Sequence, residues 1–256
     1  MRLIFLRHAE PDYAIDGLTE KGHREAALLA AATPALHIDH CYTSPLGRAR
    51  ETAAYCLDSM GKTAVEQDWL EEFNAPVDLD QHPQLINTVY QNSHHTRRIP
   101  WDILPSYYAA HPELSDPVRW RESEICKCSS IPERYDAVTS AFDDLLGSYG
   151  YVHKDGLYRV EKENRVTLGF FCHYGITCVL LSALWNISPF LLWQSLVMLP
   201  STVTEVVSEE RQQGLAWFRA VRIGDQSHLY SGNEAPSFAA RFCEVYSDFS
   251  TETGRH

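Results

Sequence analysis

No stretch of this 256-residue chain forms a glycine-rich phosphate loop, and no serine sits in a G-x-S-x-G turn. Two common ways of building a phosphate- or acyl-handling site are therefore excluded. Positive charge is scarce: 22 Lys and Arg stand against 34 Asp and Glu, a formal net charge of −12. Such a field repels nucleic acid and anionic membranes, so neither is expected as a partner. A small anion is not excluded, because a few arginines can hold one locally. Long apolar runs are missing too. The stretch from Cys178 to Leu199 is broken by Asn186, Ser188, Pro189, Gln194 and Ser195, which argues against a membrane span. Leu3 to Leu6 is only strand-length and runs at once into charge, unlike a signal peptide. Seven cysteines, an odd number, suit reduced thiols and a cytoplasmic location better than a disulfide scaffold. Cys126-Lys127-Cys128, with His94, His95 and His111 upstream, is a candidate zinc site. It lacks a second close-spaced cysteine pair, so no metal and no cofactor are expected. There is no internal repeat.

What is present reads as alternating strands and helices. Leu3–Leu6 is a first strand ending in Arg7-His8. Thr19 is a candidate N-cap for an alanine-rich helix over 25–32, which Pro34 stops. A second strand over 37–43 ends at Ser44-Pro45. A helix over 46–60 follows, with Arg48, Thr52 and Cys56 on one side and Gly61 as its stop. Residues 64–69 are strand-like and lead to Leu70-Glu71-Glu72. From Asn74 to about Ser130 the rhythm breaks, with six prolines between Pro76 and Pro117 and many aromatics. This predicts an inserted cap over 74–130, with short helices near 84–90 and 103–110. A long amphipathic helix over 132–146 resumes the pattern. Strands over 157–161 and 165–172, a helix over 175–185 and a hairpin from 202–208 to 215–223 follow. A short helical piece is expected near 238–246.

Histidines and arginines at strand ends carry the chemistry. A phosphate monoester is a dianion that needs cations on its oxygens, a nucleophile in line and a proton for the departing alkoxide. His8 offers an uncharged ring nitrogen near neutral pH. Arg7 and Arg48 offer planar forks of donors, and His173 a further donor. The bland alternative, core histidines and a sheet-edge arginine, does not account for four such elements at strand ends or helix starts.

Leu6-Arg7-His8-Ala9-Glu10 resembles the signature of the histidine phosphatase, or phosphoglycerate-mutase-like, superfamily. Leu18-Thr19-Glu20-Lys21-Gly22 is similar to that family's "LTxxG" helix start, and the segment from Ser44 to Ala53 to its "SPLxRAxxTA" motif. Leu70-Glu71-Glu72 and Cys172-His173-Tyr174-Gly175 stand where the proton donor and the second histidine are expected. The resemblance covers about residues 1–73 and 165–208. It implies a three-layer α/β/α sandwich with a mostly parallel central sheet, here one domain over 1–256 carrying a largely helical insertion. It also implies that His8 becomes a phosphohistidine, that Arg7, Arg48 and His173 hold phosphate, and that Glu72 donates the proton. Glu71 competes for that role, and Glu10 is a second acid or an orienter. Arg50 is expected at the rim or paired with Glu51.

Departures narrow the function. Phe73-Asn74-Ala75 replaces the "ERHYG" that follows the donor in cofactor-dependent mutases, and Pro11-Asp12-Tyr13 replaces their polar substrate loop. Hydrolysis of a small phosphorylated metabolite is therefore expected. A phosphoglycerate-type mutase, a sugar bisphosphatase or a non-catalytic phosphate binder are the alternatives. Tyr13, Arg97, Arg98, Trp101, Tyr107, Tyr108 and His228 are candidate substrate contacts. A homodimer built on the insertion's aromatics is the competing use of that segment.

Overall fold

Four consecutive apolar residues without alternation suit a strand covered on both faces, and Leu3, Ile4, Phe5 and Leu6 are all buried. A computed structural model, which describes residues 1–90 and 95–237, puts this strand, Arg2–Arg7, at the centre of an eight-stranded sheet. In order across the sheet run Ala64–Glu66, His40–Thr43, Thr167–Cys172, Arg2–Arg7, Val203–Gln212, Leu215–Asp225, Leu157–Val160 and Tyr151–Lys154. The first four are mutually parallel and the rest pair antiparallel.

Leu3 and Phe5 point into one cluster with Phe142, Phe170 and Leu180. Ile4 and Leu6 point into another with Leu29, Ala53 and Cys56. The helices Glu20–Ala32 and Gly47–Met60 therefore cover one face, and Ile131–Ser148 and Tyr174–Trp185 the other. This is the expected three-layer α/β arrangement. Eleven of the twelve residues of Tyr174–Trp185 are buried, which explains why its sequence is apolar all round.

Register brings the chemistry together. Arg7 lies opposite Cys172, and Phe171 opposite Thr43. The next residue on each chain, His8, His173 and Ser44, therefore leaves the carboxyl edge of the sheet at one place, where open α/β sheets bind ligands.

Some elements run longer than the sequence pattern indicated, and the strands expected over 37–43, 64–69 and 165–172 are shorter, His40–Thr43, Ala64–Glu66 and Thr167–Cys172. The first helix begins at Glu20 because Thr19 caps it, accepting from the Gly22 N–H at 3.0 Å. The hairpin extends over Val203–Gln212 and Leu215–Asp225, and Tyr151–Lys154 is a strand the periodicity did not reveal. The segment 74–130 carries short helices such as Pro83–Thr88 and Pro105–Ala110 and a two-residue strand pair, Val77–Asp78 with Arg97–Arg98. Its Val77, Leu85, Val89, Ile103 and Trp120 join the same apolar cluster as the sheet face. The expected helix at 238–246 lies outside the described residues, as does His94. Cys126 is buried in the core, and Cys128 sits by Glu124 and Gln84. Among the described residues no three metal-ligating side chains converge, and no helix is long and apolar enough to cross a membrane.

Two features of the first helix make predictions. A β-carbon on Gly22 would lie 2.2 Å from the Glu10 carbonyl oxygen, whereas one on Gly147 would meet nothing within 4 Å. Alanine gains about 1 kcal/mol of helix propensity, but a forced backbone shift costs about 1–3 kcal/mol. In urea denaturation Gly22→Ala should lower the midpoint and Gly147→Ala should raise it. Equal signs would contradict the close approach.

Glu25, on the same helix, is fully buried; its Oε2 accepts from the Glu10 N–H at 2.9 Å, and its Oε1 has no protein partner. Burial pushes its carboxyl up to about 7. A folded-state value above the unfolded one means that the carboxyl's contribution is full below about pH 4.5 and lost as pH rises through 7. Glu25→Gln should therefore gain stability relative to the parent between pH 5 and 8, by at most about 3 kcal/mol. A difference independent of pH would refute the buried-acid assignment.

Candidate active site

A cavity of about 280 Å³ opens at the carboxyl edge of the parallel strands, lined by Arg7, His8, Tyr13, Arg48, Glu72, Ile99, Trp101, Tyr174, Val197 and Met198. Parallel pairing fixes its floor: the His8 N–H donates to the Cys172 carbonyl at 3.0 Å and the Ser44 N–H to Phe171 at 2.9 Å. The rings of His8 and His173 consequently lie 5.0 Å apart, centre to centre.

His8 is nearly inaccessible, and its Nδ1 is 2.8 Å from the Ala9 carbonyl oxygen. A carbonyl only accepts, so Nδ1 bears the proton and the lone pair is on Nε2. Burial, then Arg7 and Arg48, hold the His8 imidazole well below its ordinary value, against the pull of the Ala9 bond. The ring is neutral at pH 7. His173 is fully buried, with Nε2 2.8 Å from Ser44 Oγ and Nδ1 without a protein partner. Burial and the neighbouring His8, Arg48 and Arg7 keep it neutral also.

Two guanidiniums flank this pair, that of Arg7 buried and that of Arg48 partly buried. Arg7 donates to the Met198 carbonyl and sits 5.7 Å above the Tyr174 ring. Burial lowers its pKa, with Tyr13 and Glu72 pulling it back; an arginine stays charged throughout. Arg48 is set by the first turn of Gly47–Met60 and pairs with Asp16 at 2.5 Å. The same Asp16 carboxylate accepts from the Gly47 N–H at 2.7 Å, and a β-carbon on Gly47 would strike the Asp16 carbonyl. Further along this helix Thr52 Oγ1 accepts from the Ala9 N–H at 3.0 Å. One helix thus fixes both the cation and the backbone behind His8.

Glu72 is held by the helix Tyr174–Trp185. Its Oε1 accepts from the N–H groups of Phe73 at 2.8 Å and Ile176 at 3.0 Å, the second at the helix N-terminus, where anions are favoured. Neither bond falls on Oε2. Gly175 permits this approach: a β-carbon there would come within 2.4 Å of Trp101 and 2.8 Å of Glu72 Oε1. The neighbouring Glu71 is outside the lining and pairs with Arg134 at 3.6 Å.

Several residues singled out in the sequence stand elsewhere. Glu10 does not line the cavity; its carboxylate accepts from Thr19 Oγ1 at 2.8 Å and from Ser237, tying the loop after His8 to the first helix. His228 is buried behind the site, bonded to Ser201 Oγ at 2.9 Å, while the Ser201 N–H holds the His8 carbonyl. Burial lowers its pKa to about 4. Tyr108 bonds Ser115 and Tyr107 stacks on His111, both away from the cavity. Arg98 is buried rather than solvated, donating to the Tyr90 carbonyl near Asp102, and lines a different cavity. Arg97 is exposed. Arg50 faces Glu66 at 3.6 Å rather than Glu51, which accepts from the Leu18 N–H. Tyr174, Trp101 and Tyr13 do line the cavity. Asp16, Ser44, Ile99, Val197 and Met198 were not singled out. Of these, Ser44 was signalled by its place at a strand end.

Comparison with known proteins agrees with this geometry. The family model for the histidine phosphatase superfamily (branch 1) matches residues 3–106. A 2,3-bisphosphoglycerate-dependent phosphoglycerate mutase from Thermoplasma acidophilum is 37% identical over 79 residues, 27% of this chain but only 40% of that protein. Phosphoserine phosphatase 1 of Hydrogenobacter thermophilus is 23% identical over 205 residues, 68% of this chain and 95% of that protein. Among solved structures, mycobacterial glucosyl-3-phosphoglycerate phosphatase complexed with VO3 superposes with a TM-score of 0.52 at 18% identity, covering 88% of this chain and 99% of that one. Phosphoserine phosphatase from Entamoeba histolytica, complexed with 3-phosphoglyceric acid, gives 0.52 at 16% identity, covering 89% and 98%. With the sandwich, the paired imidazoles and the ordered motifs in place, residues 3–106 resemble the histidine phosphatase superfamily (branch 1), and the fold resembles that of the two solved phosphatases.

Proposed function

We propose that the protein is a phosphomonoester hydrolase that works through a phosphohistidine on His8 and needs no metal. The observation that supports this most is the His8 ring itself. It is neutral, its Nδ1 proton is committed to the Ala9 carbonyl, and it lines a cavity that the guanidiniums of Arg7 and Arg48 also line. Arg7 and Arg48 supply the charge that a phosphoryl dianion requires. His173, held by Ser44, has Nδ1 as its remaining polar atom. Nε2 attacks phosphorus while the P–O bond to the alcohol breaks, and the Glu72 carboxyl gives its proton to the departing oxygen. The resulting carboxylate then takes a proton from water as that water attacks the N–P bond. Inorganic phosphate leaves, and His8 and Glu72 return to their starting states.

The long relative and the solved neighbours named as phosphatases support hydrolysis. The partner is then a small phosphorylated metabolite. The insertion acts as a cap, because Ile99 and Trp101 complete the cavity wall. Free thiols at the described cysteines suit a reducing compartment such as the cytoplasm. Transfer between hydroxyls is the second reading. It rests on the partial likeness to phosphoglycerate mutases, and rapid equilibration of 2- and 3-phosphoglycerate would establish it.

His8→Ala should abolish an acid-labile, base-stable phosphoenzyme and phosphate release in chelator. Label trapped on serine or cysteine would overturn the mechanism. Glu72→Gln should slow alkyl phosphates by roughly 10²-fold or more while aryl phosphates, whose oxides leave unaided, lose much less. Equal losses on both classes would mean that Glu72 only positions groups. Glu71→Gln should leave both rates within about twofold, on the scale that surface changes usually produce.

A further inference from the structure

The cavity divides into two halves of opposite character. Arg7, His8, Arg48 and Glu72 are all engaged by the proposed phosphoryl chemistry. The remaining wall is Tyr13, Ile99, Trp101, Tyr174, Val197 and Met198. No side chain of that wall is charged. The Tyr174 hydroxyl is already engaged at the carbonyls of Trp193 and Leu196, at 3.0 and 2.8 Å. The polar groups that remain are the Tyr13 phenol and the Trp101 indole N–H, both uncharged; Tyr13 is 61% exposed, with its ring 5.5 Å from the Arg48 guanidinium. The arginines best placed in sequence to read a second anion are elsewhere: Arg98 is buried at Tyr90 and Asp102, and Arg97 is on the surface.

Trp101 makes the wall rigid as well as apolar. Its ring edge rests on the first turn of the helix Tyr174–Trp185, against Gly175, and it packs edge-on to Tyr174 at 5.4 Å. Val197, on the same wall, is half exposed. A carboxylate brought against such a wall loses its hydration and gains no cationic partner, only the neutral donors of Tyr13 and Trp101. An alkyl chain or aromatic ring loses only ordered water.

We infer that, if the hydrolase reading holds, the preferred substrates are monophosphates of uncharged, largely apolar alcohols, aliphatic or aromatic. Phosphorylated hydroxy acids and sugars are discriminated against. The ester oxygen lies at Glu72, and the alcohol's carbon skeleton runs outward between Trp101 and the Val197-Met198 segment. Such a preference sets the chain apart from the phosphoserine phosphatase of Entamoeba histolytica, whose solved complex holds the carboxylate-bearing 3-phosphoglyceric acid.

The test compares esters of equal leaving-group chemistry. Phosphate release is measured for n-hexyl phosphate, 3-phosphoglycerate, phosphoserine and glucose 6-phosphate, with 1-naphthyl phosphate as the aryl member. Hexyl phosphate should exceed each of the other three alkyl esters in kcat/KM by roughly tenfold or more, the scale that a well-filled apolar pocket provides. A preference for either carboxylate-bearing ester, or for the sugar phosphate, would overturn the inference. Calorimetry with the phosphonate analogues of the same compounds reads the selectivity without turnover. If no ester is hydrolysed, the hydrolase reading fails. The order of phosphonate affinities still decides the selectivity, with tighter hexylphosphonate binding for it and tighter carboxylate-analogue binding against it. A gain-of-function variant checks the cause: Val197→Lys should raise the ratio of 3-phosphoglycerate to hexyl phosphate turnover, or of the matching phosphonate affinities, by roughly tenfold. An unchanged ratio would show that the neutrality of this wall is not what excludes the carboxylate.

Discussion

A buried guanidinium and a partly buried one stand beside two uncharged imidazoles, and most of the architecture around the carboxyl edge of the sheet answers to that constraint. A buried cation is tolerated only with close compensation. Here each compensating group comes from a different part of the chain. Asp16 reaches Arg48 from the loop after the first strand, the Met198 carbonyl reaches Arg7 from the segment before the hairpin, and the Tyr174 ring lies under Arg7 from the second histidine's helix. Burial first, and then the same charges, suppress protonation of His8 and His173. Cation placement and imidazole neutrality are therefore one arrangement, and it suits an anionic ligand.

The parts of this arrangement that were legible in the sequence are those set by local backbone rules. Arg7-His8, Ser44 and His173 stand at the ends of apolar runs, so their convergence followed once parallel pairing was assumed. Thr19 and Gly61 are punctuation that any helix would use, and both act as expected. Side-chain direction within loops was not legible. His228 and Tyr108 had suitable chemistry and wrong surroundings, because Ser201 and Ser115 claim them. Asp16 had no motif of its own; its importance arises from a left-handed backbone at φ 50° and from contact with Gly47, thirty-one residues away in sequence. Met198 acts through its carbonyl, which no residue pattern can announce. Arg98 was expected to contact substrate because nothing local reveals Asp102 and Tyr90 closing over it.

The residue separating His173 from Gly175 shows how a small departure from a motif is absorbed. Tyr174 occupies the first turn of its helix, turns its ring toward Arg7 and anchors its hydroxyl on the carbonyls of the segment that ends at Val197. Gly175 then lies where Trp101 and Glu72 must pass closest to the helix. The inserted segment and the α/β core are fitted to each other at this one position, which is why the cap's tryptophan and the core's glycine are best understood as a pair.

The attachment of Glu72 to that same helix has a mechanical meaning. His173 stands at the helix N-terminus and Glu72 is bonded to Ile176, one turn in. The carboxyl and the second imidazole are therefore mounted on a common rigid body, seated in the apolar core by nearly every residue of the helix. Breathing of the loops that admit and release ligand changes the dimensions of the mouth but adds little play between these two groups. The helix serves as a reference surface, and tolerances at the reacting atoms are inherited from the core rather than from the more variable chain that covers it.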